Sequence, residues 1–301
     1  MISDARHEPG SARGTPGSSG PLGLGVSLAQ RSTMRIDAVA EHFAAPASVE
    51  DLVALLAGEG RRIRPLRVLG GGSNLVFASR RIAGLVVSTE RLRSVRFDGR
   101  YVTVGAGCSL AGLIGKAITR RLAGLETLAG IPGTVGGAVA QNAGGRHGEI
   151  GPLVRECLLV HADGAVERRR DFAFAYRESG LKGSVVAEVT LELDAGADLT
   201  ALRARYLEIM AAKSASQPLA ARSAGCVFKN PAADVAAARL IDQAGWKGRG
   251  RGAAIVSPRH ANFVVNRGGA SPDEVTGLIH AIEADILARS GIRLEREVEY
   301  W

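Results

Sequence analysis

The sequence predicts an α+β protein in two unequal parts. Three observations carry this. Short apolar strands alternate with capped helices along the whole chain, glycine-rich loops follow the strands, and the texture changes at Gly196 and Asp198, where alternating strand pattern gives way to a long amphipathic helix. With 301 residues and about 150 residues per domain, two domains are expected, at 34–196 and 197–301. Residues 1–33, rich in Gly, Ser, Pro and Arg, read as a disordered extension.

Composition narrows the function classes. A hydrophobic content of 46% with 23% charge is globular, and no run of 18 or more apolar residues offers a membrane span. The formal charge of +8 invites a nucleic-acid reading, but all except five of the 38 basic residues are arginine, scattered through every segment. The two short clusters, Arg168–Arg170 and Lys247–Arg251, lack aromatic residues for base stacking, so neither nucleic acid nor membrane is expected as a partner. Cys108, Cys157 and Cys226 are too few and too dispersed for a disulfide framework or a zinc cage, and no metal is expected. The N-terminal residues contain no apolar core of secretory length, so a cytoplasmic location is expected.

The elements follow in order. Ser48 opens a helix carrying Leu52, Val53, Leu55 and Leu56, with Asp51 in capping-box position. Arg67–Leu69 is a short strand, and further strands are expected at 84–88 and 101–105. Ser109 caps a helix with Leu110, Leu113, Ile114, Ala117 and Ile118 on one face, and Gly124 stands where its C-terminal cap belongs. A hairpin is expected around Ala162-Asp163-Gly164, then an alternating strand at 185–193, and a helix from Leu199 to about Lys213. In the last hundred residues the pattern predicts strands at 226–228, 253–256 and 263–265 and a helix at 234–244. A second helix opens at Ser271-Pro272-Asp273-Glu274, where N-cap, N1 proline and N3 glutamate coincide. Arg293–Trp301 reads as a closing strand with Glu295 and Glu297 on one face.

Two glycine-rich stretches are built for close approach to a ligand. Gly70-Gly71-Gly72-Ser73-Asn74 follows a strand and can present a row of free N–H groups to a phosphate, though it is neither the Rossmann nor the P-loop signature. Gly124–Gly145 holds seven glycines in 22 residues with almost no charge. Side chains this small let the main chain come within hydrogen-bonding distance of a ligand.

Six groups of residues, in order, carry a specific resemblance: Gly70-Gly71-Gly72-Ser73-Asn74-Leu75; Gly124-Leu125-Glu126 with Gly130-Ile131-Pro132-Gly133-Thr134-Val135-Gly136-Gly137 and Asn142-Ala143-Gly144; Tyr176-Arg177-x-Ser179; Gly225–Pro231; His260-Ala261-Asn262-Phe263-x-x-Asn266; and Leu294-Glu295-x-Glu297-Val298. Over roughly residues 45–298 the chain resembles the bacterial flavoenzyme family of UDP-N-acetylenolpyruvoylglucosamine reductases. The resemblance implies a two-lobed FAD-binding region of the vanillyl-alcohol-oxidase (PCMH) type plus a smaller α/β substrate-binding domain. It implies FAD held at its pyrophosphate by Gly70–Leu75 and lined by Ile131, Pro132, Thr134, Asn142 and their glycine neighbours Gly130, Gly133, Gly136 and Gly137. NADPH and a UDP-sugar are the implied small-molecule partners of a monomer or weak homo-oligomer.

By motif position, Arg177 would hold the substrate carboxylate, Cys226 would donate the proton and Glu297 would be the second charged group. Tyr176, Ser179, Lys229, Asn230, His260 and Asn262 are the expected substrate contacts, with Lys213, Gln217 and Asn266 in looser agreement. The family commonly has serine where Cys226 stands, and a free thiol titrating near pH 8.5 would lose its proton as the solution turns alkaline. The 49 residues from Arg177 to Cys226 match the shorter form of the family, which lacks an inserted tyrosine-bearing loop, and the family's early Gly-Gly-x-Ala is replaced by Asp37-Ala38-Val39-Ala40. The alternative is another FAD-dependent oxidoreductase of the same fold acting on an alcohol or sugar.

Overall fold

Residues 22–301 are described by a computed structural model, and the folded chain starts earlier than the composition of its N-terminus implies. Strand β1 (Gly23–Ser27) pairs antiparallel with β2 (Val39–Ala44), and Leu28, Met34 and Ile36 between them are fully buried. The disordered extension expected to reach residue 33 is therefore corrected for 22–33; its remainder, 1–21, lies outside the described residues. Three apolar residues in a polar, glycine-rich context were enough to anchor the segment, because burial rewards individual side chains rather than mean composition. Helix α1 (Val49–Ala57) starts at Ser48, whose hydroxyl accepts the Asp51 N–H, and buries Leu52, Leu55 and Leu56. β3 (Leu66–Leu69), β4 (Leu75–Val76) and β5 (Arg81–Ser88) follow. The first sheet has the order β1-β2-β5-β3, with β5 parallel to both β2 and β3, so the chain leaves the C-terminal end of β3 directly into the glycine loop at 70–74.

The second lobe is an antiparallel sheet with helices on one face. β6 (Val95–Asp98) and β7 (Tyr101–Gly105) lead to α2 (Leu110–Thr119), capped by Ser109 and burying Leu110, Leu113, Ile114, Ala117 and Ile118. The helix stops at Thr119 rather than running to Gly124: Arg121 has φ 57°, and a short strand, β8 (Leu122–Ala123), intervenes. Gly124, expected as a C-cap, instead opens a single tight turn over Leu125–Leu128 with φ 116°. α3 (Val135–Ala140) is capped by Thr134, and β9 (Gly144–Gly145) pairs with β10 (Gly148–Glu149). β11 (Val154–His161), β12 (Val166–Arg169) and β13 (Ser184–Glu192) complete the sheet in the order β12-β11-β13-β7-β6, while β14 (Asp194–Ala195) pairs with β8. β13 does not alternate simply as expected: Val185 and Ala187 pack into the core with α1, Val186, Val189 and Leu191 into the second lobe's core, and a register shift against β11 falls between Val186 and Glu188.

The remaining third opens with α4 (Leu199–Ser216), three residues longer than expected. Leu199, Leu202 and Tyr206 pack into the second lobe's core, so the first turns of this helix belong physically to that lobe although the sequence places them past residue 197. β15 (Ser223–Cys226), α5 (Ala237–Gln243), β16 (Gly250–Arg251), β17 (Ala254–Val256), β18 (Phe263–Asn266) and α6 (Pro272–Ser290) follow, the four strands in the order β15-β18-β17-β16. The capping box of α6 is complete, with Ser271 and Glu274 each satisfying the other's N–H. Of the closing segment only β19 (Glu299–Tyr300) is regular strand; it pairs parallel with β4, and residues before it are joined to β15's continuation by an isolated Phe228–Arg296 bridge. One hydrophobic core merges Leu69, Leu75, Phe77 and Val86 of the first lobe with Val227, Phe228, Ile279 and Val298, so the last domain is welded to the first lobe.

Candidate active site

The two glycine stretches meet face to face. A side chain on Gly70 would come within 2.7 Å of Thr134 Oγ1, and one on Gly71 within 2.8 Å of Gly133 Cα. Ser73 closes the contact by donating to Pro132 O at 3.2 Å. Gly72 has φ 59°, and a Cβ there would lie 2.2 Å from Arg31 O, so only glycine fits. Among the described residues, the N–H groups of Gly71, Gly72, Ser73 and Asn74 donate to no protein acceptor. A row of free amides beside a cleft of about 570 Å³ suits a bound diphosphate. Arg31, Arg35, Arg93 and Arg222 line the same cleft against the single carboxylate of Glu90. These arginines were missed in the sequence because they are scattered and look like bulk composition.

Arg177, Cys226 and Glu297 are brought together from three elements. Arg177 Nε donates to Glu297, and the two side chains are each only 16% exposed. Glu297 is held by its backbone: its N–H donates to Val227 O at 2.8 Å, and its carbonyl accepts from Asn74 Nδ2 at 3.1 Å. Arg177 itself has φ 59°, a left-handed conformation that costs a non-glycine residue about 1–3 kcal/mol and that collects at functional sites. Its Nη1 is buried with no hydrogen-bond partner, an orphaned cationic donor. Burial pushes the Glu297 carboxyl above the usual range, with the Arg177 charge opposing. Burial, with a smaller contribution from Glu297, pushes the Cys226 thiol up to about 12, while Arg177 pulls the other way. This corrects the expectation that the thiol titrates near pH 8.5: it stays protonated through the neutral and mildly alkaline range.

The other expected residues divide between lining the site and holding it up. Lys213 Nζ donates to Ala129 O at 2.6 Å, and its stem covers Gly130, where a Cβ would lie 2.9 Å from Lys213 Cδ. Burial, together with the charges of Arg146 and Arg177, pulls Lys213 down to about 8. Tyr176 is half exposed beneath the Arg177 guanidinium, 5.0 Å from the ring centre. Lys229 pairs with Glu295 at 2.6 Å, and exposed Asn230 accepts the Ala237 N–H. Asn262 is buried and grips the Phe228 backbone at both its N–H (2.9 Å) and its carbonyl (2.7 Å), fixing the turn that follows Cys226. His260 packs edge-on against Phe263, and burial lowers its pKa. Asn142 spends its amide on Glu149, Ala175 O and the Gly151 N–H, and Ser179 donates to Ala140 O at 2.7 Å. Gly136 is a packing glycine, its Cβ position 2.5 Å from that of Ala106; Gly137 gives its N–H to Thr134. Ile131 packs on the second lobe's core, and the Leu75 side chain lies in the first.

A two-lobed fold with paired glycine loops, a cationic cleft and a thiol beside a buried Arg–Glu pair defines an FAD-dependent oxidoreductase. The FAD-binding domain family matches residues 40–169, and the C-terminal domain family of UDP-N-acetylenolpyruvoylglucosamine reductases matches residues 217–301. The chain is 42% identical over 276 residues to the UDP-N-acetylenolpyruvoylglucosamine reductase of Heliobacterium modesticaldum, covering 90% of this chain and 88% of that protein. It is 40% identical over 279 residues to reductase 2 of Symbiobacterium thermophilum, covering 91% and 90%. The crystal structure of UDP-N-acetylenolpyruvylglucosamine reductase from Thermus caldophilus matches with a TM-score of 0.79 and 33% identity, covering 93% of this chain and 98% of that one. The chain belongs to the UDP-N-acetylenolpyruvoylglucosamine reductase family, whose cofactors are FAD and NADPH. The residues present fit FAD, since the free amides at 71–74 and the arginines of the cleft supply donors and charge for its pyrophosphate.

Proposed function

We propose that this protein reduces the enolpyruvyl ether of UDP-N-acetylenolpyruvoylglucosamine to the lactyl ether of UDP-N-acetylmuramate, a step of peptidoglycan precursor synthesis, with NADPH as reductant. When bound, FAD would supply the two-electron hydride chemistry that couples NADPH to the substrate's double bond. The chain's own residues do the rest. Arg177 holds the substrate carboxylate with the Nη1 that has no protein partner and stabilises the negative charge that grows there. Glu297 keeps the guanidinium in that orientation through Nε. Cys226 gives its proton to the carbon bearing the ether oxygen and recovers one from solvent.

The observation that carries this reading is the buried Arg177 Nη1 donor that has no protein partner, next to Cys226. The scattered arginines are consistent with a small anionic substrate rather than nucleic acid, and the described residues contain no helix long and apolar enough to cross a membrane. We place the enzyme in the cytoplasm as a monomer or weak homo-oligomer. The test separates the two half-reactions by flavin absorbance. Cys226→Ala should bleach normally with NADPH and lose product formation by 10²–10⁴-fold, with Cys226→Ser recovering part of it; normal turnover of Cys226→Ala would sink the assignment.

A further inference from the structure

We propose that Thr33 is a positioning residue that holds the strand carrying Cys226 in register with the glycine loop at Gly72. The inference rests on the reductase reading above. Thr33 stands in the segment between β1 and β2, outside both matched domain families, which cover residues 40–169 and 217–301. Its hydroxyl proton is shared unevenly between Ser223 O at 2.6 Å and Gly72 O at 3.3 Å, and its N–H donates to Gly72 O at 3.1 Å. One residue therefore joins the loop that faces the cofactor to the first residue of β15.

Cys226 is the last residue of that strand, about 10 Å further on at the usual rise per residue. β15 is not self-determined. Its pairing with β18 is irregular between Ser223 and Cys226, and Gly225 has φ 81°. A break in the ladder leaves the residues between Ser223 and Cys226 without regular pairing and lets the strand bend there. The far end is fixed by Asn262 and by the Glu297 N–H on Val227 O. The near end pairs Ser223 with Val265 and accepts the Asn266 N–H at Arg222 O (2.9 Å), and Thr33 ties it across to the glycine loop. Asn266 reinforces it from β18, donating Nδ2 to Met34 O at 2.8 Å. The bracket lets the residues that hold the cofactor set the position of the proton donor.

A displacement of about 1 Å at a reacting group costs on the order of 100-fold in rate. Thr33→Val keeps the shape and the backbone bond but removes the hydroxyl. In holoenzyme matched for FAD content it should slow substrate-dependent reoxidation of the flavin by roughly 10- to 100-fold, and by more than it slows NADPH-dependent bleaching. Thr33→Ser should retain wild-type reoxidation, and Thr33→Cys, with a weak donor, should fall between. The Ser and Cys variants carry the comparison if Thr33→Val does not fold. Equal slowing of both half-reactions, or reoxidation indifferent to the donor at 33, overturns the inference. Wild-type protein that bleaches with NADPH but is not reoxidised by this substrate would instead overturn the reductase reading, and this inference with it.

Discussion

The raised thiol pKa of Cys226 makes a stability prediction with a definite sign. A native-state pKa above the unfolded value means that the fold binds the proton more tightly. The associated stabilisation is complete below the unfolded pKa and is lost as pH rises through the native one. With 9.0 for the unfolded thiol and about 12 for the folded one, going from pH 7 to pH 10 should cost the wild type on the order of 1 kcal/mol relative to Cys226→Ser, from the ratio of the two ionisation polynomials. Lys213, which titrates at about 8, is common to both proteins and cancels in the difference. The assay is urea unfolding of both proteins without FAD at pH 7, 8, 9 and 10. The difference should be flat to pH 8 and then open progressively. A gap unchanged to within a few tenths of a kcal/mol at pH 10 would show a thiol of ordinary pKa and refute the burial argument. The catalytic counterpart is that burial keeps the Cys226 thiol protonated at pH 9, so thiolate formation should not produce an alkaline limb in turnover.

Other perturbations follow from named contacts. Removing one partner of the Arg177–Glu297 pair, as in Glu297→Ala, leaves the other charge buried and should destabilise by about 3–5 kcal/mol, while Arg177→Met with Glu297→Gln should cost less than the sum; denaturation of the three variants measures the coupling, and additivity would contradict a direct pair. Asn262→Ala strips both backbone partners from Phe228 and should lower stability by about 2–4 kcal/mol and slow reoxidation more than bleaching, as read by calorimetry and stopped flow. Gly72→Ala forces a Cβ to within 2.2 Å of Arg31 O and should weaken FAD binding at least tenfold, seen as flavin fluorescence released on dilution.

What could be read without coordinates was local or strongly patterned. Ser48, Ser109 and Ser271 mark helix starts because a capping hydroxyl acts on an N–H two or three residues away. The hairpin at 162–164 and the strand after it follow from short-range turn chemistry and an apolar pattern near a period of two, the strand's register shift excepted. The ordered glycine, Tyr-Arg-x-Ser and Glu-x-Glu-Val groups were legible for the same reason, as each is a contiguous string. The end of α2 was misplaced because the chain turns at Arg121, where no glycine advertises a positive φ.

By itself, then, the sequence determined the α+β class, the helix starts, the two glycine loops and the identity of the candidate trio Arg177, Cys226 and Glu297. Tertiary structure alone decided which residues were free to act. It consumed the side chains of Asn142, Ser179 and Asn262 in backbone support, left Arg177 Nη1 without a partner, and separated Glu297, 16% exposed on Arg177, from Glu295, 71% exposed on Lys229. It folded residues 31–33 against the cofactor loop and placed Thr33 on Ser223, 190 residues away. The physical reason is one of range: capping, turns and periodicity act over a few residues, whereas desolvation and hydrogen-bond satisfaction depend on neighbours that only the folded chain brings together.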